Sequence, residues 1–305
     1  MAGYIIRRLL FLPLTLLLVA FVTFVVLRLT GNPVDIFLDI NRTPEQVAAL
    51  TQRLHLDQPL PVQFLIFLRD LLHGDFGESL QFSGSAVSVV SQRVGATLQL
   101  AGAGLALAVV LGVLGGIVCA VWRDRLADAV ISTLAVVGQS MPSFWLGLLL
   151  IQFFALQLHW LPTSGYGDAR HVVLPAATLA TILLPNFVLI TRTAILELMG
   201  EQFVVTGRSK GLSRARVLTT HILPNAANPV LSFLGIQIGT LMAGSIITET
   251  IYAWPGVGRL LINSIFHRDV PVVEASVFFI AIAIAVANLM VDVLQMLIDP
   301  RIRRP

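Results

Sequence analysis

Apolar residues occupy this chain in long runs separated by short polar joints. Six runs stand out, at about 9–27, 97–121, 131–158, 172–196, 229–251 and 274–297. Each approaches or exceeds the ~20 residues a helix needs to cross a hydrocarbon layer, and a soluble domain does not alternate such runs with short joints. The pattern predicts an all-α, polytopic membrane protein with six transmembrane helices. The first run follows Arg7 and Arg8, as the core of a signal peptide would, but it is longer than such a core and lacks a small-x-small cleavage site. It is read as an uncleaved first span within residues 1–30, with its N-terminus in the cytoplasm.

Residues 31–95 are the most soluble-looking part and are expected to form an extracytoplasmic helical subdomain. Thr43-Pro44-Glu45-Gln46 combines an N-cap, a proline at the first helical position and a capping-box glutamine, so a short helix should start there. Pro59 and Pro61 then break the chain. Phe64, Leu65, Phe67, Leu68, Leu71 and Leu72 recur at helical spacing up to Gly74, a C-cap candidate. That amphipathic helix either lies on the membrane surface or packs on the spans. The acidic residues Asp35, Asp39, Glu45, Asp57, Asp70, Asp75 and Glu78 gather in this segment. Residues 96–297 hold the other five spans, and 298–305 form a tail.

Charge orients the spans. Arg7/Arg8, Arg123/Arg125, the group Arg208, Lys210, Arg214, Arg216, and Arg301/Arg303/Arg304 all fall on one face, whereas loops 159–171 and 252–273 carry only Arg170, Arg259 and Arg268. The positive-inside rule puts the first face, with both termini, in the cytoplasm. The chain of 305 residues is 56% hydrophobic and 12% charged, with mean hydropathy +0.85 and pI 9.6. The basic balance is this orientation signal, and no nucleic-acid partner is expected. The single cysteine, Cys119, lies inside an apolar run, which excludes a disulfide framework and a cysteine metal cluster.

Small residues crowd the spans: Gly102, Gly104, Gly112, Gly115 and Gly116 in the second, Gly235 and Gly239 in the fifth. Such spacing lets helix backbones approach closely. Pro142, Pro175 and Pro185 are placed to kink helices or mark their starts. Arg28, Arg192, Glu197, Glu249 and Asp299 lie near span ends, where snorkelling suffices. Asp292 lies deeper and either pairs with a neighbouring helix or faces a pore. So few embedded charges do not suit an ion-driven carrier, and the spans read as a passive pathway energised from elsewhere. Enzyme signatures are absent. Lys210 is followed by Gly211 and opens no phosphate loop, no H-E-x-x-H pair occurs, and Ser164-Gly165, which faintly resembles an intramembrane serine site, has Pro162 in the place of the needed glycine. His55, His73, His159, His171, His221 and His267 are scattered, mostly at span ends.

The stretch 201–229 lies between two long apolar segments and contains Lys210, the chain's only lysine. Ser213 is a good N-cap for Arg214–Leu223 at helical spacing, ending at Pro224. A short helix flanked by breakers suits a docking element for a soluble partner; a solvated basic loop that only sets topology fits these residues equally well.

Gly211, nine residues, then His221-Ile222-Leu223-Pro224 resembles the EAA-type loop of bacterial ABC-importer permeases, in which a glycine is followed after nine residues by Ile-x-Leu-Pro. Thr206-Gly207-Arg208-Ser209-Lys210-Gly211 is similar to the Thr-Ala-Arg-Ala-Lys-Gly of the dipeptide/oligopeptide/nickel branch, with Gly207 and Ser209 in the alanine places and His221 where the general pattern has isoleucine. Gly74-Asp75-Phe76-Gly77-Glu78-Ser79, Pro142-Ser143-Phe144-Trp145-Leu146-Gly147, Glu249-Thr250 through Trp254-Pro255-Gly256-Val257-Gly258-Arg259, and Asp299-Pro300-Arg301 resemble further stretches of that family, in order along nearly the whole chain.

The resemblance implies a non-catalytic, pore-forming subunit in a bacterial inner membrane. It would work by alternating access with a second, similar permease, two cytoplasmic ATPase subunits and an extracytoplasmic solute-binding protein. ATP-Mg would be bound by the ATPases and no cofactor or metal by this chain. The loop 201–228 would be the coupling element, through Thr206, Gly207, Arg208, Lys210, Gly211, Leu212, Ser213, Val217, Leu223 and Pro224. Phe144, Trp145, Glu249, Trp254, Pro255, Gly256 and Arg259 would line the translocation path or face the binding protein. Di- or oligopeptides are the expected cargo, with nickel chelates, glutathione or a sugar as alternatives. A proton-coupled secondary carrier is the rival from another class, and an intramembrane protease lacks a Ser–His or paired-Asp site.

Overall fold

The computed structural model describes residues 2–29, 51–52 and 57–298. The helix expected at Thr43-Pro44-Glu45-Gln46, the acids Asp35, Asp39 and Glu45, the Asp299-Pro300-Arg301 ending and the side chain of Asp292 lie outside the described residues. The elements in chain order are α1 (Ala2–Leu29), α2 (Leu60–Leu72), α3 (Ala86–Val121), α4 (Leu126–Ser140), α5 (Ser143–Leu150) running into a π-helical segment Ile151–Gln157, α6 (Ala169–Met199), α7 (Gln202–Ser209), α8 (Arg214–Val217) running into a π-helical turn Leu218–Ile222, α9 (Leu223–Ile251), α10 (Val257–Phe266) and α11 (Val270–Ile298). Among the described residues four stretches are long and apolar enough to cross a membrane: Phe11–Leu29, Ala86–Val121, Ala169–Met199 and Val270–Met290.

The run at 131–158 is not a straight helix. Leu126–Ser140 and Ser143–Gln157 meet at a bend of 109°. The cause is Pro142, which offers no N–H and pushes the residue before it out of the helical region, so that Met141 sits extended at ψ 132. The bent pair nevertheless runs antiparallel to α6 along its length. Asp128 meets Arg192, Gln139 meets Asn186, Tyr252 bridges Gly147 and Thr178, and Ala155 packs with Leu174. Residues advancing through 126–157 therefore meet residues descending through α6. Helix α9 is also antiparallel to α6: Ala226 clusters with Ala194, the Phe233 and Phe187 rings stack edge-on at 5.2 Å, and Tyr252 reaches Leu174.

Helix α3 runs parallel to α6, and glycines allow the approach. Gly104, Gly112 and Gly116 face Leu179, Phe187 and Thr191, a constant offset of 75 residues. A Cβ on Gly112 would collide with that of Phe187, and one on Gly116 would lie 2.7 Å from the Val188 carbonyl oxygen. By contrast, a Cβ on Gly102 would meet nothing within 4 Å. Close glycine contacts of this kind gain dispersion energy where the hydrophobic effect no longer drives association.

The chain divides into two compact units, one of Ala96–Pro255 with Val286–Pro305 and one of Ala2–Gly95 with Gly256–Ala285. The first holds the helices just described. In the second, Ala86, Val89, Val90, Val257, Leu260, Val272 and Ala275 form the core. Here α2 packs on a span: Phe64 stacks on Phe21 and Phe24, and Phe67 on Phe24. Pro61, expected as a breaker, instead sits in the first turn of α2, where its missing N–H has no helical partner to lose. Gly74, at φ +71, closes that helix. The following Gly-Asp-Phe-Gly-Glu-Ser stretch folds on itself through an Asp75–Gly77 turn, and Ser79 Oγ donates to the buried Asp269 carboxylate.

Candidate functional site

Residues 201–222 form a helix–turn–helix set on the ends of α3 and α6. Helix α7 turns Val204 and Gly207 inward. It is closed by the αL-type cap that glycine favours: Gly211, at φ +82, donates its N–H to the Arg208 carbonyl and Leu212 donates to Gly207. Ser213 then caps α8, its Oγ accepting from the Arg216 N–H at 3.3 Å. Val204, Val217 and Ile222 pack with Ala120, Ala194, Ile195 and Ala226, and Ile117, Leu198 and Leu212 close the rim.

The helix after Ser213 does not end at Pro224. That proline stands in the first turn of α9, and the chain passes into it through the π-turn, where Leu223 N–H donates five residues back to Leu218. The wider turn accommodates a proline that removes one ladder bond and crowds the carbonyl four residues earlier. The element is thus continuous with the next span, where a helix isolated by breakers was expected. Gly207 is helical and buried; a Cβ there would meet Val217 at 3.4 Å and Leu212 at 3.7 Å, ordinary contacts. Gly207→Ala is therefore expected to stabilise the protein by up to ~1 kcal/mol through helix propensity, read as a raised melting midpoint in detergent.

Of the residues expected at this site, Gly207 and Val217 are buried and Leu212 and Leu223 half-buried, whereas Thr206, Arg208, Lys210, Gly211, Ser213 and Pro224 are exposed. Two apolar side chains that the sequence reading passed over, Phe203 and Val205, are also exposed on α7, Val205 at 62%. Their signal was an apolar pair in an otherwise polar loop. None of Arg208, Lys210, Arg214 and Arg216 has an ion-pair partner among the described residues.

The second expected set is dispersed. Phe144 and Trp145 are exposed on α5. Glu249 and Trp254, expected on the path or on the outer face, are instead fully buried. Glu249 accepts from Thr97 Oγ1 at 2.8 Å. Trp254 donates to the Ala96 carbonyl at 2.8 Å, and its ring packs edge-on against Tyr166. Apolar surroundings force both polar groups onto interior partners. Pro255 and Arg259 are half-buried and Gly256 buried. Tyr252, not singled out from the sequence, joins three helices by donating to the Gly147 carbonyl and sharing a hydrogen bond with Thr178 Oγ1. Outside the spans, Asp168 caps α6, and the adjoining His171 holds its carboxyl below the usual carboxylate range.

A second missed feature lies beside the helix–turn–helix. Arg192, expected to snorkel, makes a two-pronged ion pair with Asp128, both bonds at 2.8 Å. Ser132 Oγ and the Asp124 N–H complete the carboxylate's partners. Among the described residues no group of three or more His, Cys, Asp or Glu is disposed to hold a metal ion.

Comparison with known proteins matches residues 112–304 to the family described as "Binding-protein-dependent transport system inner membrane component" and residues 1–100 to its N-terminal companion family. The glutathione transport system permease protein GsiC of Salmonella choleraesuis (strain SC-B67) is 40% identical over 304 residues, covering 99% of each chain. The di/tripeptide transport system permease protein DppB of Pseudomonas aeruginosa (strain UCBPP-PA14) is 38% identical over 333 residues, again covering 99% of each. Among solved structures, an inward-facing form of the MetNI methionine ABC transporter aligns with a TM-score of 0.59 at 18% identity, over 69% of this chain and 96% of that one. An amino acid ABC transporter aligns at 0.52 and 20% identity, over 70% and 94%. These last two likenesses are of fold. The chain belongs to the binding-protein-dependent transport system inner membrane component family, the permeases of ABC importers.

Proposed function

We propose that this pore-forming permease imports small peptides and that residues 201–228 are its coupling element to an ATPase. One observation carries the coupling assignment. The helix–turn–helix is fastened by a continuous apolar core to the ends of α3, α6 and α9 while presenting Phe203, Val205, Thr206 and Arg208 outward. A rigid attachment transmits displacement, and an exposed mixed face seats in a groove. Closing of an ATPase pair around bound ATP-Mg would move this element and with it the spans, switching access between the two sides. A second, similar permease, two ATPases and a solute-binding protein complete the assembly. The parallel and antiparallel packing on α6, added to the apolar stretches of α1 and α11, supports six crossings. The basic joints beside α7 and α8 support a cytoplasmic placement for that side and for both termini. The relatives' names, glutathione and di/tripeptide permeases, support small peptides as cargo.

The test is Leu212→Asp, which places a charge in the half-buried rim of this core. ATPase retention during purification should fall about tenfold, equivalent to ~1.4 kcal/mol, and vanadate-sensitive uptake should be lost while membrane insertion persists. Undiminished uptake with normal ATPase retention would sink the coupling assignment.

A further inference from the structure

A groove of about 280 Å³ lies between α6 and α9, lined by Leu189, Ile190, Thr193, Ala194, Glu197 and Pro229. Leu189, Thr193 and Glu197 recur at helical spacing on one side of α6, away from the Leu184, Phe187, Val188 and Thr191 side that meets α3 and α4. The groove is apolar except near Thr193 and Glu197, both exposed. Glu197 differs from the other acids of these helices. Asp128 is paired with Arg192 and Glu249 is buried against Thr97, while Glu197 has no side-chain partner among the described residues. From α9 the groove is lined by Pro229, which has no N–H to offer.

A groove with an apolar floor, a carboxylate, a hydroxyl and no cation suits an ammonium group carried on a small organic body. We infer that this groove is a transient site on the solute's exit route, where Glu197 receives the free α-ammonium of a small peptide. The inference rests on the peptide reading above. The chemistry is common to di- and tripeptides and to glutathione, each of which has a free ammonium.

The experiment uses the full importer with its ATPases and binding protein in proteoliposomes, carrying Thr193→Cys in the groove wall. The native Cys119 is buried and leaves little background. The introduced thiol should react roughly two- to fivefold faster with a cationic than with an anionic methanethiosulfonate of similar size, as one partly solvated carboxylate allows, and Glu197→Gln should abolish that preference. Trialanine or glutathione under turnover should slow labelling, N-acetyl-trialanine should not, and Glu197→Asp should retain the protection that Glu197→Gln loses. Vanadate-sensitive uptake with labelling indifferent to solute, or protection unchanged in Glu197→Gln, overturns the site and leaves the peptide reading intact. Failure to transport either peptide overturns both.

Discussion

Replacing Asp128 by alanine is expected to destabilise the folded protein by about 3 kcal/mol, the lower end of what removing one partner of a buried ion pair costs. The carboxylate side chain is only 7% exposed, and both of its oxygens are engaged by Arg192, whose own side chain is 28% exposed. With Asp128 gone, the guanidinium keeps part of its desolvation cost and loses its counter-charge. The partial exposure of Arg192 is why the low end applies. Asp128→Asn should fall between, since the amide retains one acceptor. The double substitution Asp128→Leu with Arg192→Leu should regain much of the loss, because an apolar pair of similar volume removes the unpaired charge altogether. Melting of the purified chain in detergent separates these cases. A double variant as unstable as Asp128→Ala would mean that packing, not charge, holds α4 to α6.

Gly116→Leu is expected to prevent correct assembly of α3 on α6, and Gly116→Ala alone should cost about 2–3 kcal/mol, the upper range for forcing atoms into a packed interior. The atoms in the way include the Val188 carbonyl, 2.7 Å from the added carbon, and backbone cannot step aside as a flexible side chain can. Gly112→Ala should behave similarly against Phe187. Gly102→Ala supplies the control: it lies on the same helix with open space around it and should be neutral or slightly stabilising. Folded yield by fluorescence-detected size exclusion, compared across the three alanine variants, tests the order. Equal yields would show that α3 and α6 can separate without loss.

The helix-terminal signals near the candidate site were legible because they are local. Gly211 closes α7 and Ser213 caps α8, since left-handed backbone and a side-chain oxygen acceptor are properties of single residues. The prolines were read less well. Pro61 and Pro224 both sit inside first turns, and a proline that starts a helix has the same sequence appearance as one that stops it. The resemblance put Glu249 and Trp254 on the path or the outer face, yet each is satisfied inside by a residue over 150 positions away. The Asp128–Arg192 pair escaped notice for the same reason, with 64 residues between its partners.

The run lengths and the polar joints determined by themselves that this is an all-helical membrane protein. Hydrocarbon length and backbone hydrogen-bond demand leave a chain of this pattern no other state. The order of motifs identified its kind. Only the tertiary structure decided that 126–157 bends by 109° at Pro142 and runs antiparallel to α6, that α3 and α6 are parallel and held at glycine distance, and that the 201–222 element is continuous with α9. Those are properties of pairs of segments, set by which side chains fill which gaps, and no single run carries them.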